Sequence, residues 1–123
     1  MHDIAIRGGR VIDPATGLDA IRDVAIDGGR ITAIEDSVGH SRSEIDASGL
    51  IVAPGFIDLH AHGQSLPADR MQAFDGVTTA LELEVGALPV GEWYDAQAGR
   101  RRLLNYGTAA AWIFARKAVM IGI

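Results

Sequence analysis

Length and composition describe a small folded protein without cysteine chemistry. The chain has 123 residues, of which 48% are hydrophobic and 22% charged, so it can form a core and is not a disordered segment. Eleven basic against sixteen acidic residues give a net charge of −5, which excludes an extended basic surface for nucleic acid or an anionic membrane. The absence of cysteine excludes disulfides, thiolate zinc sites and cysteine nucleophiles.

Nothing in the sequence predicts secretion or membrane insertion. The amino terminus lacks the basic and then apolar pattern of a secretory signal. The strongly apolar stretch at residues 109–115 is far shorter than the ~20 residues that a membrane span needs. We therefore expect a soluble, cytoplasmic protein.

The first fifty residues contain a near-repeat, AIRGGR at residues 5–10 and AIDGGR at residues 25–30. Each Gly-Gly pair lies between short apolar runs, which predicts two hairpins with two-residue type I′ turns. In the second, Asp27 faces Arg30 as a pair of opposite charge. Residues 13–17 form a turn between the hairpins and residues 37–43 a loop. A phosphate-binding loop is disfavoured, because strand and not helix follows each glycine pair.

A pair of histidines follows two short strands. Residues 44–55 predict strand, a turn at Ser48-Gly49, strand, and a break at Pro54-Gly55. Residues 56–62 then alternate in polarity as an extended strand, which places Asp58, His60 and His62 on one face. Their spacing suits two neighbouring ligands of one metal ion, and imidazole suits zinc, iron, nickel and copper alike. Asp58 is a candidate to accept a hydrogen bond from a ring nitrogen. A bare His-x-His also arises by chance.

A βαβ unit continues the chain. Ser65 is a candidate cap for a helix that ends at Asp75-Gly76, and residues 77–85 form the next strand. Glu82 and Glu84 share one face of that strand. Glu84 lies nearer its carboxyl end, so it is the candidate metal ligand, with Glu82 second. Two alternatives stay open: the strand register is shifted by one residue, or an arginine neutralises the carboxylates.

The last third of the chain predicts two more helices around a third strand. The helices cover residues 89–98 and 110–120, and the strand covers residues 103–106. Arg100-Arg101-Arg102 is predicted to be a solvated rim, since the net charge is acidic. Trp93, Tyr94 and Trp112 are predicted to pack, and His2 and His40 to lie on the surface.

Two motifs resemble known enzymes. The sequence PGFIDLHAH at residues 54–62 resembles the P-G-x-I-D-x-H-x-H signature of the amidohydrolase superfamily, and the strands before it look like that superfamily's small N-terminal β-sandwich lobe. The sequence DGVTT at residues 75–79 resembles the opening of the second barrel strand in N-acyl-D-amino-acid deacylases. Residues 81–94 and 104–107 look closest to the N-acyl-D-glutamate deacylase-like branch.

The resemblance implies a metal-dependent hydrolase. His60 and His62 would be metal ligands at the end of the first strand of a (β/α)₈ barrel. Water activated by one or two divalent ions, expected to be Zn²⁺, would hydrolyse a carbon–nitrogen bond. The implied partner is a small-molecule N-acyl amino acid, with no nucleic acid or membrane involved.

The chain departs from the deacylase pattern at two places. Gly63-Gln64 stands where that pattern has acidic residues soon after its histidine pair, and the chain has no counterpart of the cysteine ligand after the second strand. We hypothesise that Glu84 substitutes for that cysteine. A bridging lysine, as in cyclic amidases, has no place here either, because Lys117 falls in the last predicted helix.

We therefore expect an α/β chain with two parts, a small N-terminal β-sandwich lobe at residues 1–55 and the first two to three βα units of an incomplete TIM-type barrel at residues 56–123. Such a barrel takes about 250 residues. The chain is accordingly interpreted as an N-terminal fragment, inactive alone and able to associate through Leu103-Leu104 and Ile113-Phe114. A cyclic amidase resembling dihydropyrimidinase or dihydroorotase, a weak metal binder, and a non-catalytic interaction module with vestigial histidines remain alternatives.

Overall fold

The computed structural model describes residues 1–122 as a mixed α/β chain, as predicted. It divides into two compact units, an N-terminal unit of Met1–Pro54 and a C-terminal unit that begins at Gly55. Within residues 1–122, none of the helices has both the length and the apolar character needed to cross a bilayer.

The N-terminal unit is a five-stranded sheet. Its strands are β1 (His2–Asp13), β2 (Leu18–Asp27), β3 (Arg30–Glu35), β4 (Ser41–Asp46) and β5 (Ile51–Val52). The order is β3-β2-β1-β4, with β5 also paired to β1. The β1–β2 and β2–β3 pairs are antiparallel, whereas β4 and β5 run parallel to β1. Ala5, Ala25 and Val38 form its buried core.

The first predicted hairpin is wrong. Strand β1 continues through Gly8-Gly9 with a bulge in its pairing to β2. Gly8 has a φ of 68° and its amide donates to the Asp23 carboxylate at 2.9 Å. A Cβ on Gly9 would lie 2.5 Å from Cγ2 of Val52. The glycines therefore serve a bulge and the close approach of β5, rather than a chain reversal.

The second hairpin and the intervening turn are confirmed. Gly28 and Gly29 have φ values of 56° and 74°, as a type I′ turn requires, and Asp27 pairs with Arg30. The turn between β1 and β2 is closed by a 2.9 Å hydrogen bond from the amide of Gly17 to the carbonyl of Asp13. The predicted loop at residues 37–43 is too long, since β4 already begins at Ser41.

The C-terminal unit is a three-stranded parallel sheet with helices between and after its strands. Its elements are β6 (Phe56–Asp58), α1 (Leu66–Phe74), β7 (Val77–Ala87), α2 (Val90–Ala98), β8 (Asn105–Ala110) and α3 (Trp112–Ile121). The order β6-β7-β8 with parallel pairing confirms the βαβ prediction. Strand β8 begins two residues later than predicted, and α3 begins at Trp112.

The predicted solvated rim of arginines is wrong at its last member. The Arg102 side chain is 3% exposed, and its Nε and Nη2 donate to the two carboxylate oxygens of Asp69, each at 2.6 Å. Its Nη1 also donates to Oε1 of Gln97 at 3.0 Å, and its guanidinium lies 4.9 Å from the ring centre of Tyr106. Leu104, expected to be partly uncovered, is buried as well. The segment before β8 is thereby held to α1.

Candidate metal centre

A local turn places the two histidines beyond the end of β6. Oδ1 of Asp58 accepts a hydrogen bond from the backbone amide of His60 at 2.9 Å, the pattern of an Asx-turn. The strand therefore ends at Asp58, three residues in, instead of running on to His62 as predicted. Beyond it, the amide of Ala61 donates to the carbonyl of Leu81 at 2.9 Å, which keeps the histidine segment beside β7.

This turn corrects the role expected for Asp58. Its second carboxylate oxygen, Oδ2, accepts from Nε2 of Gln72 in α1 at 2.9 Å. Both oxygens thus hold the backbone turn and the helix, and neither is hydrogen-bonded to an imidazole nitrogen. Asp58 supports the histidine segment through its backbone, because a residue two positions before His60 reaches the amide more readily than the ring.

Three ligand atoms converge beyond this turn. Nε2 of His60 lies 2.9 Å from Nε2 of His62 and 2.8 Å from Oε2 of Glu84. Nε2 of His62 lies 3.0 Å from the same oxygen of Glu84. The side chains of His60, His62 and Glu84 are 63%, 51% and 59% exposed. The turn after β6 and the end of β7 thus bring together the predicted histidine pair and Glu84, the predicted candidate ligand of the next strand.

The donor set and its spacing fit a divalent ion. Imidazole nitrogen and carboxylate oxygen are both common zinc ligands, and ligands at ~2.0 Å from a tetrahedral ion lie about 3.3 Å from one another. The three atoms here are 2.8–3.0 Å apart, so small rotamer adjustments bring them to that spacing. Within residues 1–122, His60, His62 and Glu84 are the one such group of three or more potential ligands.

A fourth side chain, Glu82, lies behind this group. Its Oε2 is 2.5 Å from Nδ1 of His62, and its Oε1 accepts from the backbone amides of Val85 at 3.0 Å and Glu84 at 3.2 Å. The Glu82 side chain is 10% exposed. Alternation along β7 predicts the face on which Glu82 lies, but not its partners, the ring of His62 and two backbone amides of β7 itself.

The contact between Glu82 and His62 shifts the pKa values of both groups toward their charged forms. Burial acts to raise the pKa of Glu82, but the hydrogen bonds from Val85 and His62 outweigh it and hold that pKa below the ordinary value. The hydrogen bond to Glu82 in turn raises the pKa of His62 against the opposing effect of desolvation. Glu82 is therefore an ionised acceptor facing the Nδ1 side of the ring.

An irregularity in β7 directs the Glu84 side chain toward the two histidines. The pairing of β7 with β8 shifts between Glu82 and Ala87, so that extra residues of β7 lie opposite a short stretch of β8. Gly86 has a φ of 72° there, and a Cβ on it would lie 2.6 Å from the carbonyl oxygen of Ala109. Bulges of this kind redirect side chains at the ends of barrel strands. The sequence predicts only a strand over residues 77–85 and gives no sign of this irregularity.

Comparison with known proteins identifies the family. Residues 43–122 match the sequence model of the amidohydrolase family. The chain belongs to the amidohydrolase family. The match includes His60, His62, Glu82 and Glu84 and the whole of the C-terminal unit that the structure describes.

The individual relatives carry the names of a dihydroorotase, a deacylase and an aminoacylase. The dihydroorotase of Solibacter usitatus (strain Ellin6076) is 52% identical over 60 residues, which cover 48% of this chain and 14% of that protein. The structure of N-acyl-D-glutamate deacylase from Bordetella bronchiseptica, complexed with zinc and a phosphonate inhibitor, is 29% identical with a TM-score of 0.77, over 89% of this chain and 29% of that one. A D-aminoacylase structure is 37% identical with a TM-score of 0.57, over 66% of this chain and 18% of that one.

These similarities confirm the fold class. The chain has the α/β architecture of an amidohydrolase N-terminal lobe followed by the start of a TIM-type barrel. It spans less than a third of the length of each relative described above.

Proposed function

We propose that this chain supplies part of the metal centre of an enzyme that hydrolyses carbon–nitrogen bonds. The observation that carries the proposal is the convergence of His60 Nε2, His62 Nε2 and Glu84 Oε2 within 3.0 Å of one another in a member of the amidohydrolase family. The exposure of all three side chains leaves the centre open to a small-molecule substrate, as a catalytic site requires.

Each residue has a defined part in this chemistry. A bound Zn²⁺ would supply Lewis-acid activation of water and of the scissile carbonyl. Bound to that ion, His60 and His62 would each offer an unprotonated Nε2, and Glu84 would add a negative charge. Asp58 holds the backbone turn that aims the histidines. We propose that the general base and the remaining ligands come from later strands of a parent barrel, as the short share of each relative covered by this chain implies.

For the substrate we propose an N-acyl-D-amino acid such as N-acyl-D-glutamate. The DGVTT sequence and the structural similarity to N-acyl-D-glutamate deacylase, at a TM-score of 0.77, support this choice. In the proposal Glu84 takes the part of the cysteine ligand that deacylases of this kind carry after the second strand. The carboxylate can do so because carboxylate oxygen, like thiolate, binds zinc.

A cyclic amidase is the second candidate. Its support is the 52% identity to the dihydroorotase of Solibacter usitatus, which is higher than the identity to either deacylase structure. Cleavage of a cyclic amide requires the same polarised carbonyl, so the residues of this chain fit both reactions. A metal-bridging lysine on a later strand of the parent would distinguish the cyclic amidase.

Metal binding by the chain tests the centre directly. We expect the metal-free chain to take up zinc with a stoichiometry of one per chain in calorimetry, and expect H60A/H62A to lose that uptake. His40→Ala is the matched control, because His40 is an exposed histidine outside the group. Equal uptake by the double variant and the control would contradict the proposal and favour a non-catalytic module.

Turnover assays compare the activity of the isolated chain with that of a full-length enzyme. We expect the 123-residue chain with zinc to leave both N-acetyl-D-glutamate and dihydroorotate uncleaved, since three ligands without a general base do not complete the site. A full-length barrel that contains this chain should cleave the first substrate. Cleavage of dihydroorotate alone would establish the second candidate, and chelator-sensitive turnover by the isolated chain would contradict the expected inactivity.

A further inference from the structure

The carboxylate of Glu82 contacts two of the three candidate ligands in different ways. Oε2 contacts the Nδ1 side of the His62 ring, and Oε1 accepts the backbone amide protons of Glu84 and Val85. One side chain thus holds both the ring of His62 and the strand segment that carries Glu84. Because it is 10% exposed and sits between these two partners, its own freedom to rotate is small.

The contacts make Glu82 unsuited to bind the ion itself. Three partners in the protein already occupy most of the acceptor positions of its two oxygens, which leaves little capacity for an ion. Its oxygens lie toward Nδ1 of His62, whereas the candidate ligand atom of that ring is Nε2 on the opposite side. Glu82 therefore acts on the site through its neighbours.

We propose that Glu82 is the positioning residue of the metal centre, fixing the proton of His62 on Nδ1 and the placement of Glu84 at once. This inference rests on the proposed function, since the ligands it positions are the proposed ones. An acceptor at Nδ1 leaves the Nε2 lone pair of His62 for the ion and fixes the plane of the ring. The two amide bonds hold the irregular part of β7 so that the Glu84 carboxylate meets both histidines.

Two variants separate positioning from charge. E82Q keeps the size of the side chain, but a single carbonyl oxygen cannot accept from both the ring and the two amides. E82D keeps the charge but is one methylene shorter. We expect both to lower zinc affinity about 10- to 100-fold without changing the stoichiometry, the range found when a partner of a metal-bound histidine is removed. E92Q, at an exposed position in the first turn of α2, is the control for loss of one charge.

A second readout does not depend on zinc. In the metal-free chain, the Nδ1 proton of His62 should give a ring N–H resonance that exchanges slowly with water, and E82L should lose it. Backbone amide shifts outside residues 58–64, 80–86 and 106–110, the segments next to Glu82, should stay unchanged if E82L is folded. A variant E82L that keeps the slow proton would overturn the contact between Glu82 and the ring.

The outcomes distinguish this inference from the function it rests on. Absence of zinc uptake by the wild type would contradict the proposed function. Wild-type uptake together with wild-type affinity in E82D, and reduced affinity in E82Q alone, would show that charge and not position matters, which overturns the positioning role. Unchanged affinity in both variants would overturn it as well.

Discussion

At the scale of single residues, the C-terminal unit contains one ion pair that is shielded from water almost completely. Asp69 in α1 is 0% exposed, and Arg102, before β8, reaches both of its oxygens. The amide of Leu103 adds a third donor at 3.2 Å. Such a pair is costly to bury, and its value lies in holding the two segments in one arrangement.

Removing one partner should therefore destabilise the unit strongly. We expect D69A to cost about 3–5 kcal/mol of unfolding free energy, because it leaves the Arg102 charge buried and unpaired. Urea denaturation followed by far-ultraviolet circular dichroism measures the change. R101A is the matched control, since Arg101 is exposed, and its cost should stay below about 0.5 kcal/mol. Equal effects of the two variants would contradict the structural role of the pair.

The same pair predicts a pH dependence of stability. Burial acts to raise the pKa of Asp69, but the hydrogen bonds from Arg102 and Leu103 outweigh it and lower that pKa below the ordinary value of 3.8. A lowered pKa in the folded state contributes stability that is present above the unfolded value and is lost as the pH falls through the folded one. Stability of the wild type should thus fall below about pH 4 more steeply than that of D69N, in urea titrations at successive pH values.

At the scale of elements, the irregular end of β7 links the fold to the candidate centre. The strand alternates regularly up to Glu82, and the register shift before Ala87 then redirects the last residues of the strand. Gly86 permits this by a positive φ and by the close approach of the Ala109 carbonyl. A local backbone conformation thus determines where the Glu84 carboxylate lies.

Substitution of this glycine should affect both stability and metal binding. G86A should cost at least about 1 kcal/mol for the left-handed backbone alone, and the clash with Ala109 should add to it. Zinc affinity should fall too, because the segment that carries Glu84 must shift. G91A is the control: Gly91 lies in α2 with open space around it, so alanine should stabilise the helix by up to about 1 kcal/mol. Unchanged zinc affinity in G86A would contradict the link.

At the scale of the whole molecule, the helix α3 leaves a large apolar surface exposed. Trp112, Val119 and Met120 are 64%, 87% and 66% exposed, and Ile113 and Phe114 are each half exposed. Contiguous apolar surfaces of this kind are uncommon on soluble monomers and mark places of association. The exposed surface of α3 agrees with the expectation that the chain associates through Ile113-Phe114. Association itself stays a prediction.

Sedimentation velocity tests that prediction. We expect the chain to form oligomers or aggregates at micromolar concentration, and expect W112Q/V119E/M120Q to shift it toward the monomer. The substitutions lie on α3, outside the candidate centre, so zinc uptake should be unaffected. A monodisperse, cooperatively melting wild-type monomer would contradict the prediction.

Much of the fold was predictable because it depends on neighbours in sequence. The Gly28-Gly29 turn, the helix from Leu66 to Phe74 and the parallel βαβ unit all follow from turn chemistry and periodicity. Gly8-Gly9 has the same local sequence but a different structure. The conformation of Gly8-Gly9 depends on contacts with Asp23 and Val52, which come close to these glycines only when the chain has folded.

By itself the sequence determined which chemical groups are present and which face of a strand carries them: two imidazoles two residues apart, and two carboxylates on one side of β7. Only the tertiary structure decided that Glu84 meets the histidine pair, that Glu82 serves as the partner of His62, and that Arg102 is buried against Asp69. The physical reason is distance along the chain. Alternation and turn preferences act over a few residues, whereas each of these three contacts joins side chains 20 or more positions apart.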